Sequence, residues 1–156
     1  MLRSFIRATL ALSIAALAAC ASVPASPWNT MGAVNRLADG QFELYGLARS
    51  NDFSAVTYVV PSTCYGRELT LSAEYRTPNG ISQGTLPFHG LHVDYELRRQ
   101  GMTSHPTDYL TDASPNWRTV SRSWMIPVDA SRVIARVGLQ GVDGKMEVKN
   151  LRVSCQ

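Results

Sequence analysis

His89-Gly90-Leu91-His92-Val93-Asp94 is the densest run of metal-ligating side chains in the 156 residues. On a strand, His92 and Asp94 share a face and could supply two ligands. Zinc needs three or four. His89 falls in the preceding loop, and His105 joins only if the chain folds back, so we assign no metal and no cofactor. The carboxylates Glu68, Glu74, Asp94 and Glu96 all occupy polar strand faces. Glycoside hydrolysis uses two carboxyl groups about 5–10 Å apart, but alternating strands turn such residues outward for solubility anyway. No G-x-S-x-G, P-loop, H-E-x-x-H or C-x-x-C motif is present. No catalytic residue is therefore assigned. Recognition without turnover asks for less. A pyranose offers an apolar face to an aromatic ring and a fringe of hydroxyls to polar groups. His92, Asp94 and Glu96 could line one sheet face. Tyr109 and Trp117 lie in or beside the long connection 100–116. These five are the candidate ligand-binding residues. Phe88 and His89 belong to the other long connection. Trp124, Tyr75 and Tyr95 read as core.

The elements that position these residues have period two. Leu69, Leu71, Ala73 and Tyr75 alternate with polar residues, as do Leu91, Val93, Tyr95 and Leu97, and Val133, Ala135, Val137 and Leu139 alternate with Ile134, Arg136, Gly138 and Gln140. Each run is a strand with one buried face. Weaker strands are expected at about 41–48, 53–60 and 117–126. Turns are signalled by Pro61-Ser62, Pro78-Asn79-Gly80, Pro127-Val128-Asp129 and Asp143-Gly144. Met146 and Val148 are apolar at even positions, Leu151 and Val153 at odd ones, so a β-bulge is expected near Lys149-Asn150. The fold class is all-β, an antiparallel β-sandwich over residues 41–156.

The N-terminus reads as a leader. Met1 to Arg7 is a short positive region, and Ala8 to Ala19 is an apolar run short for a permanent span. Leu17-Ala18-Ala19-Cys20 resembles a bacterial lipobox. The resemblance implies a signal peptide over 1–19, lipidation of Cys20 and anchoring by several acyl chains, which hold a bilayer where one does not. Ala21 in place of aspartate resembles outer-membrane sorting. Residues 20–40 read as lipidated terminus and tether, in which Trp28 either packs or does nothing. Without Arg3 and Arg7, 13 basic residues face 12 acidic ones, and no nucleic-acid surface is indicated.

Cys64 and Cys155 remain. Two thiols in an oxidising compartment favour a disulfide. Alternating five strands between residues 67 and 154 puts them at opposite ends of the sandwich; a further short strand inside 100–116 would reverse that.

Tyr65-Gly66-Arg67-Glu68-Leu69 through Arg76-Thr77, Asn116-Trp117-Arg118-Thr119-Val120 with Ile126-Pro127-Val128, and the closing Val137-Gly138-Leu139-Gln140 and Gly144 to Val153 together resemble carbohydrate-binding-module-like jelly rolls of the galactose-binding-like kind. The resemblance spans about residues 61–154 and implies the jelly-roll fold. Two positions depart from it. Lys149-Asn150 stands where Asp-Asp is common, which argues against a structural calcium there. Arg122 stands where an apolar residue is usual; it pairs with a buried acid or marks a register slip at a bulge, and a structural role is expected of it. The reading is an outer-membrane-anchored lipoprotein, facing periplasm or cell surface. Its non-catalytic sandwich binds a glycan or envelope polysaccharide. The alternatives are an accessory lipoprotein that binds another envelope protein and, further off, a small hydrolase.

Overall fold

The period-two segments are strands, and the phase of their apolar residues decides which side faces inward. The structure, a computed structural model, describes residues 26–48, 52–82, 84–110 and 113–156. The strands are β1 (Asn29–Met31), β2 (Val34–Arg36), β3 (Phe42–Gly46), β4 (Phe53–Val59), β5 (Glu68–Arg76), β6 (Gly90–Arg99), β7 (Met102–Ser104), β8 (Thr107–Leu110), β9 (Arg118–Met125), β10 (Arg132–Gln140) and β11 (Gly144–Cys155). One sheet has the order β1-β4-β10-β6-β7, with β8 also paired to β6; the other is β2-β3-β11-β5-β9. All pairings are antiparallel. This is the antiparallel sandwich that the alternation implies.

Between the sheets lie Leu91, Val93 and Tyr95 from β6, Val133 to Leu139 at odd positions from β10, and Leu69, Leu71, Ala73 and Tyr75 from β5, all buried. Each large aliphatic side chain buried this way contributes about 1.5–3 kcal/mol. The parity change in β11 is a bulge: its register on β5 shifts between Lys149 and Arg152. Asn150 takes φ 52° there, which asparagine tolerates better than most residues, and its amide donates to Glu74 Oε1 at 2.7 Å.

Three local features differ from the sequence reading. The segment read as tether up to residue 40 joins the sandwich from Trp28 onward. β1 pairs with β4 and β2 with β3, and Trp28 is buried with its ring 5.3 Å from Tyr58. Two three-residue strands broken by Gly32 leave no periodicity to read. Second, the connection 100–116 contains β7 and β8, interrupted at His105-Pro106, and both run antiparallel to β6. They make one traverse of the sheet, which brings the two cysteines to one end. Cys64 and Cys155 form a disulfide with Cα atoms 5.6 Å apart, flanked by paired backbone bonds between Glu68 and Gln156. Third, Arg122 meets an exposed acid rather than a buried one. Its Nε is 3.5 Å from Asp108 Oδ2 of β8, which bridges the edges of the two sheets.

The leader and Cys20 lie outside the described residues. Among the described residues no helix is long and apolar enough to cross a membrane.

Candidate functional site

The outer face of the first sheet carries the chemistry, and its register puts distant residues on two successive outward-facing rungs. Asn29, Thr57, Arg136, Asp94 and Thr107 form one rung, contributed by β1, β4, β10, β6 and β8. Met31, Ala55, Gly138, His92 and Tyr109 form the next. Gly138 leaves the middle of that rung low. A Cβ there would press on the Ser54 carbonyl and come within 2.8 Å of Ala55 Cβ, so no side chain fits.

Around these rungs is a pocket of about 350 Å³, lined on one side by His92, Asp94 and Tyr109 and on the other by Phe53, Arg136 and Gln140. Phe88, Met31, His105 and Thr107 close its rim. At its base Arg136 Nε donates to Asp94 Oδ1 at 2.6 Å and Nη2 to Oδ2 at 3.0 Å. Both residues are more than nine-tenths buried. Such a bidentate pair offsets a desolvation cost that neither ion alone could bear. Burial raises the Asp94 carboxyl above its usual range, and the Arg136 bonds oppose that rise. Arg136 Nη2 also lies 2.7 Å from His105 Nδ1, and the guanidinium stands over Phe53 at 4.9 Å. The chain does fold back at His105, though onto arginine.

His92 sits between two aromatic rings, edge-on to Phe53 at 5.6 Å and tilted against Tyr109 at 5.1 Å. It is 3% exposed. Neither ring nitrogen has a hydrogen-bond partner among the described residues. Loss of hydration, and then the positive charge of Arg136, push its pKa down to about 4; the Phe88 backbone opposes this more weakly, without reaching hydrogen-bond geometry. At neutral pH the imidazole is uncharged, with one donor and one acceptor.

Of the five sequence-derived residues, the structure brings His92, Asp94 and Tyr109 together. Glu96 flanks them: it accepts from Arg98 Nε at 3.0 Å and lies 4.0 Å from Arg136 Nη1. Trp117 belongs elsewhere. Arg76 and Lys149 stand over its ring at 4.7 and 4.0 Å, on the outer face of the other sheet. Glu68 and Glu74 are on that other face too, so of the four carboxylates Asp94 and Glu96 are the pair on this one, Asp94 bound to Arg136 and Glu96 to Arg98. His89 packs beneath Gly141 and holds its own loop, with Nδ1 accepting from the Thr85 N–H at 3.2 Å. No group of three or more His, Cys, Asp or Glu placed to hold a metal occurs among the described residues. Sequence reasoning missed Phe53, Arg136, Gln140, Met31 and Thr107. The usable signal was Arg136 at an outward position in an otherwise apolar strand.

No family model and no curated protein matches the chain. Solved structures do. The C-terminal family 22 carbohydrate-binding module of a Clostridium thermocellum xylanase aligns with TM-score 0.57 and 10% identity, over 84% of this chain and 86% of the module. The chain has the fold of carbohydrate-binding modules. A family 16 module aligns with TM-score 0.52 and 10% identity over 82% and 85%. The enzymatically active domain of tailspike protein 4 from bacteriophage CBA120 aligns with TM-score 0.57 and 13% identity, over 84% of this chain and 20% of that one. The chain therefore spans about a fifth of that domain's length. These likenesses describe the jelly roll and leave the ligand to the pocket's own chemistry.

Proposed function

We propose that this protein is a lipoprotein anchored at the outer membrane through Cys20, whose jelly roll binds a glycan without turning it over. The observation that carries the binding half is His92. A buried neutral imidazole with both nitrogens unpaired is costly in a finished fold, and a sugar hydroxyl, donor and acceptor at once, satisfies such a ring. Tyr109 is 44% exposed on a short edge strand, so its movement would open His92 and offer a stacking face. The pocket pairs aromatic walls with a few fixed polar groups, as small-ligand sites do. The charge at its base is neutralised internally by Asp94 and Arg136, which suits an uncharged ligand. Both candidate carboxylates are engaged by arginine, Asp94 by Arg136 and Glu96 by Arg98, and that supports binding rather than acid–base catalysis.

A glycan array probed with the mature protein, followed by calorimetry on the best hit, tests the reading. Tyr109→Ala should lose about five-fold in affinity, the size of one partly exposed stacking contact. Trp117→Ala should change nothing. No binding to any envelope or plant-type polysaccharide would remove the glycan reading in favour of a protein partner. Product formation would replace binding by hydrolysis.

A further inference from the structure

The charged and hydroxyl groups around the pocket already have work inside the fold. Asp94 turns both oxygens to Arg136. Arg136 Nη2 also lies against His105 Nδ1. Thr107 Oγ1 donates to the His105 carbonyl at 2.9 Å, and Glu96 accepts from Arg98. His92 is the exception: its donor and its acceptor are buried and have no partner among the described residues. Much of the remaining lining is apolar. Phe53 and Tyr109 flank the imidazole at 5.6 and 5.1 Å. Met31 stands at the β1 end of the same rung as His92, and Phe88 is on the rim, each 40% exposed.

A bare pyranose fits this lining poorly. Its hydroxyls point outward around the ring, and each one set against Met31, Phe53 or Phe88 gives up water without a hydrogen bond in return. Carboxylates that could accept from those hydroxyls are held by Arg136 and Arg98. What reaches His92 must also pass between Phe53 and Tyr109, so it must be thin and present apolar surface to both rings. A planar secondary amide that ends in a methyl group meets both demands. Either polar end of the amide suits one ring nitrogen: its N–H the acceptor, its carbonyl the donor. The methyl gains from burial among the apolar walls. A cavity of about 350 Å³ has room for a sugar residue with such a substituent.

We propose that the pocket selects an acetamido sugar, with the amide bonded to His92 and the methyl held among Met31, Phe53 and Tyr109. This rests on the glycan reading and narrows it to one sugar class. The free amino sugar is excluded, because its ammonium would add a charge where Asp94 and Arg136 already balance.

Saturation-transfer NMR on the mature protein tests this with three matched pairs: N-acetylglucosamine and glucose, N-acetylgalactosamine and galactose, N-acetylmannosamine and mannose. At least one acetamido sugar should bind about ten-fold more tightly than its 2-hydroxy partner, the discrimination that a methyl-sized contact commands. Its acetyl methyl should carry the strongest saturation, and the corresponding amino sugar should not bind. The His92 Cε1 proton of the unaltered protein should shift with the acetamido sugar only. His92→Phe keeps a ring between Phe53 and Tyr109 and removes both nitrogens, so it should erase the preference. Equal binding within every pair, weakened by Tyr109→Ala, overturns the acetamido assignment and leaves the glycan reading standing. Array hits confined to glycans without acetamido groups do the same. A His92 signal unmoved by the preferred sugar, or a preference that survives in folded His92→Phe, overturns the assignment to this ring. No carbohydrate bound in the panel or on the array overturns both readings together.

Discussion

Protonating His92 should destabilise this protein in a pH range where an ordinary surface histidine would be harmless. Its pKa is about 4 in the fold, against 6.5 for a histidine in water. A histidine whose folded pKa is depressed contributes stability above pH 6.5, and that contribution is lost as pH falls toward 4. The loss attributable to His92 is about 2 kcal/mol by pH 5 and about 3 kcal/mol by pH 4, since each tenfold difference in proton affinity between folded and unfolded chain amounts to about 1.4 kcal/mol. A typical domain holds about 5–15 kcal/mol in all. Urea denaturation of the wild type and of His92→Leu at pH 7, 6, 5 and 4 isolates the contribution of this ring, because Asp94 and the other acids titrate in both. The wild type should lose about 3 kcal/mol more than the variant across that range, whatever their difference at pH 7. The His92 Cε1 proton should titrate by NMR with a midpoint near 4. Parallel stability curves, or a midpoint near 6.5, would refute the claim that this ring is dry and unpartnered.

Asp94→Asn and Arg136→Met should each cost about 3–5 kcal/mol by leaving one buried ion unpaired, whereas Asp94→Leu with Arg136→Met should recover most of it; chemical denaturation of all three gives the cycle. Replacing Cys64 and Cys155 by serine removes a link across 91 positions and should cost about 4–5 kcal/mol in the chain-entropy picture, read from the same titrations. Cys20→Ser should leave unprocessed precursor with no acyl addition in its intact mass; a mature mass without acyl groups in the unaltered protein would sink the lipidation reading.

The fold was legible where a strand is long and lies between neighbours. β5, β6 and β10 each alternate over eight or more residues because one side packs apolar residues against the opposite sheet, while the other carries mostly polar ones: half-exposed along β5, and gathered around the pocket on β6 and β10. The bulge in β11 was legible for the same reason, as a change of phase between Val148 and Leu151. β1, β2, β7 and β8 were not. Each has three or four residues, and edge strands this short are held by a single neighbour's backbone, which leaves little trace in side-chain pattern. Missing β7 and β8 also reversed the expected end of Cys155 relative to Cys64, since one unseen traverse of a sheet changes the direction of everything after it.

The site was less legible than the fold, and the reason is register. Solvation of His92 and Asp94 was the natural expectation for polar residues alternating with Leu91, Val93 and Tyr95. They are buried because β10 sets Arg136 opposite Asp94, β4 brings Phe53 over the same rungs, and β8 lays Tyr109 beside His92. Those four segments come from residues 53 to 140, and nothing local in any one of them names its partner. An outward arginine in an apolar strand does announce that an acid must stand opposite if it is to be buried. What it cannot announce is that the neighbouring histidine is left without a partner. That follows only once Arg136 has committed two donors to Asp94 and the rung beside it is filled by Gly138, Ala55 and an aromatic ring, none of which offers His92 a side-chain hydrogen bond. The ligand-binding character of this face is thus a consequence of cross-strand arithmetic. A one-residue slip of β6 against β10 would turn the whole row inward and abolish it.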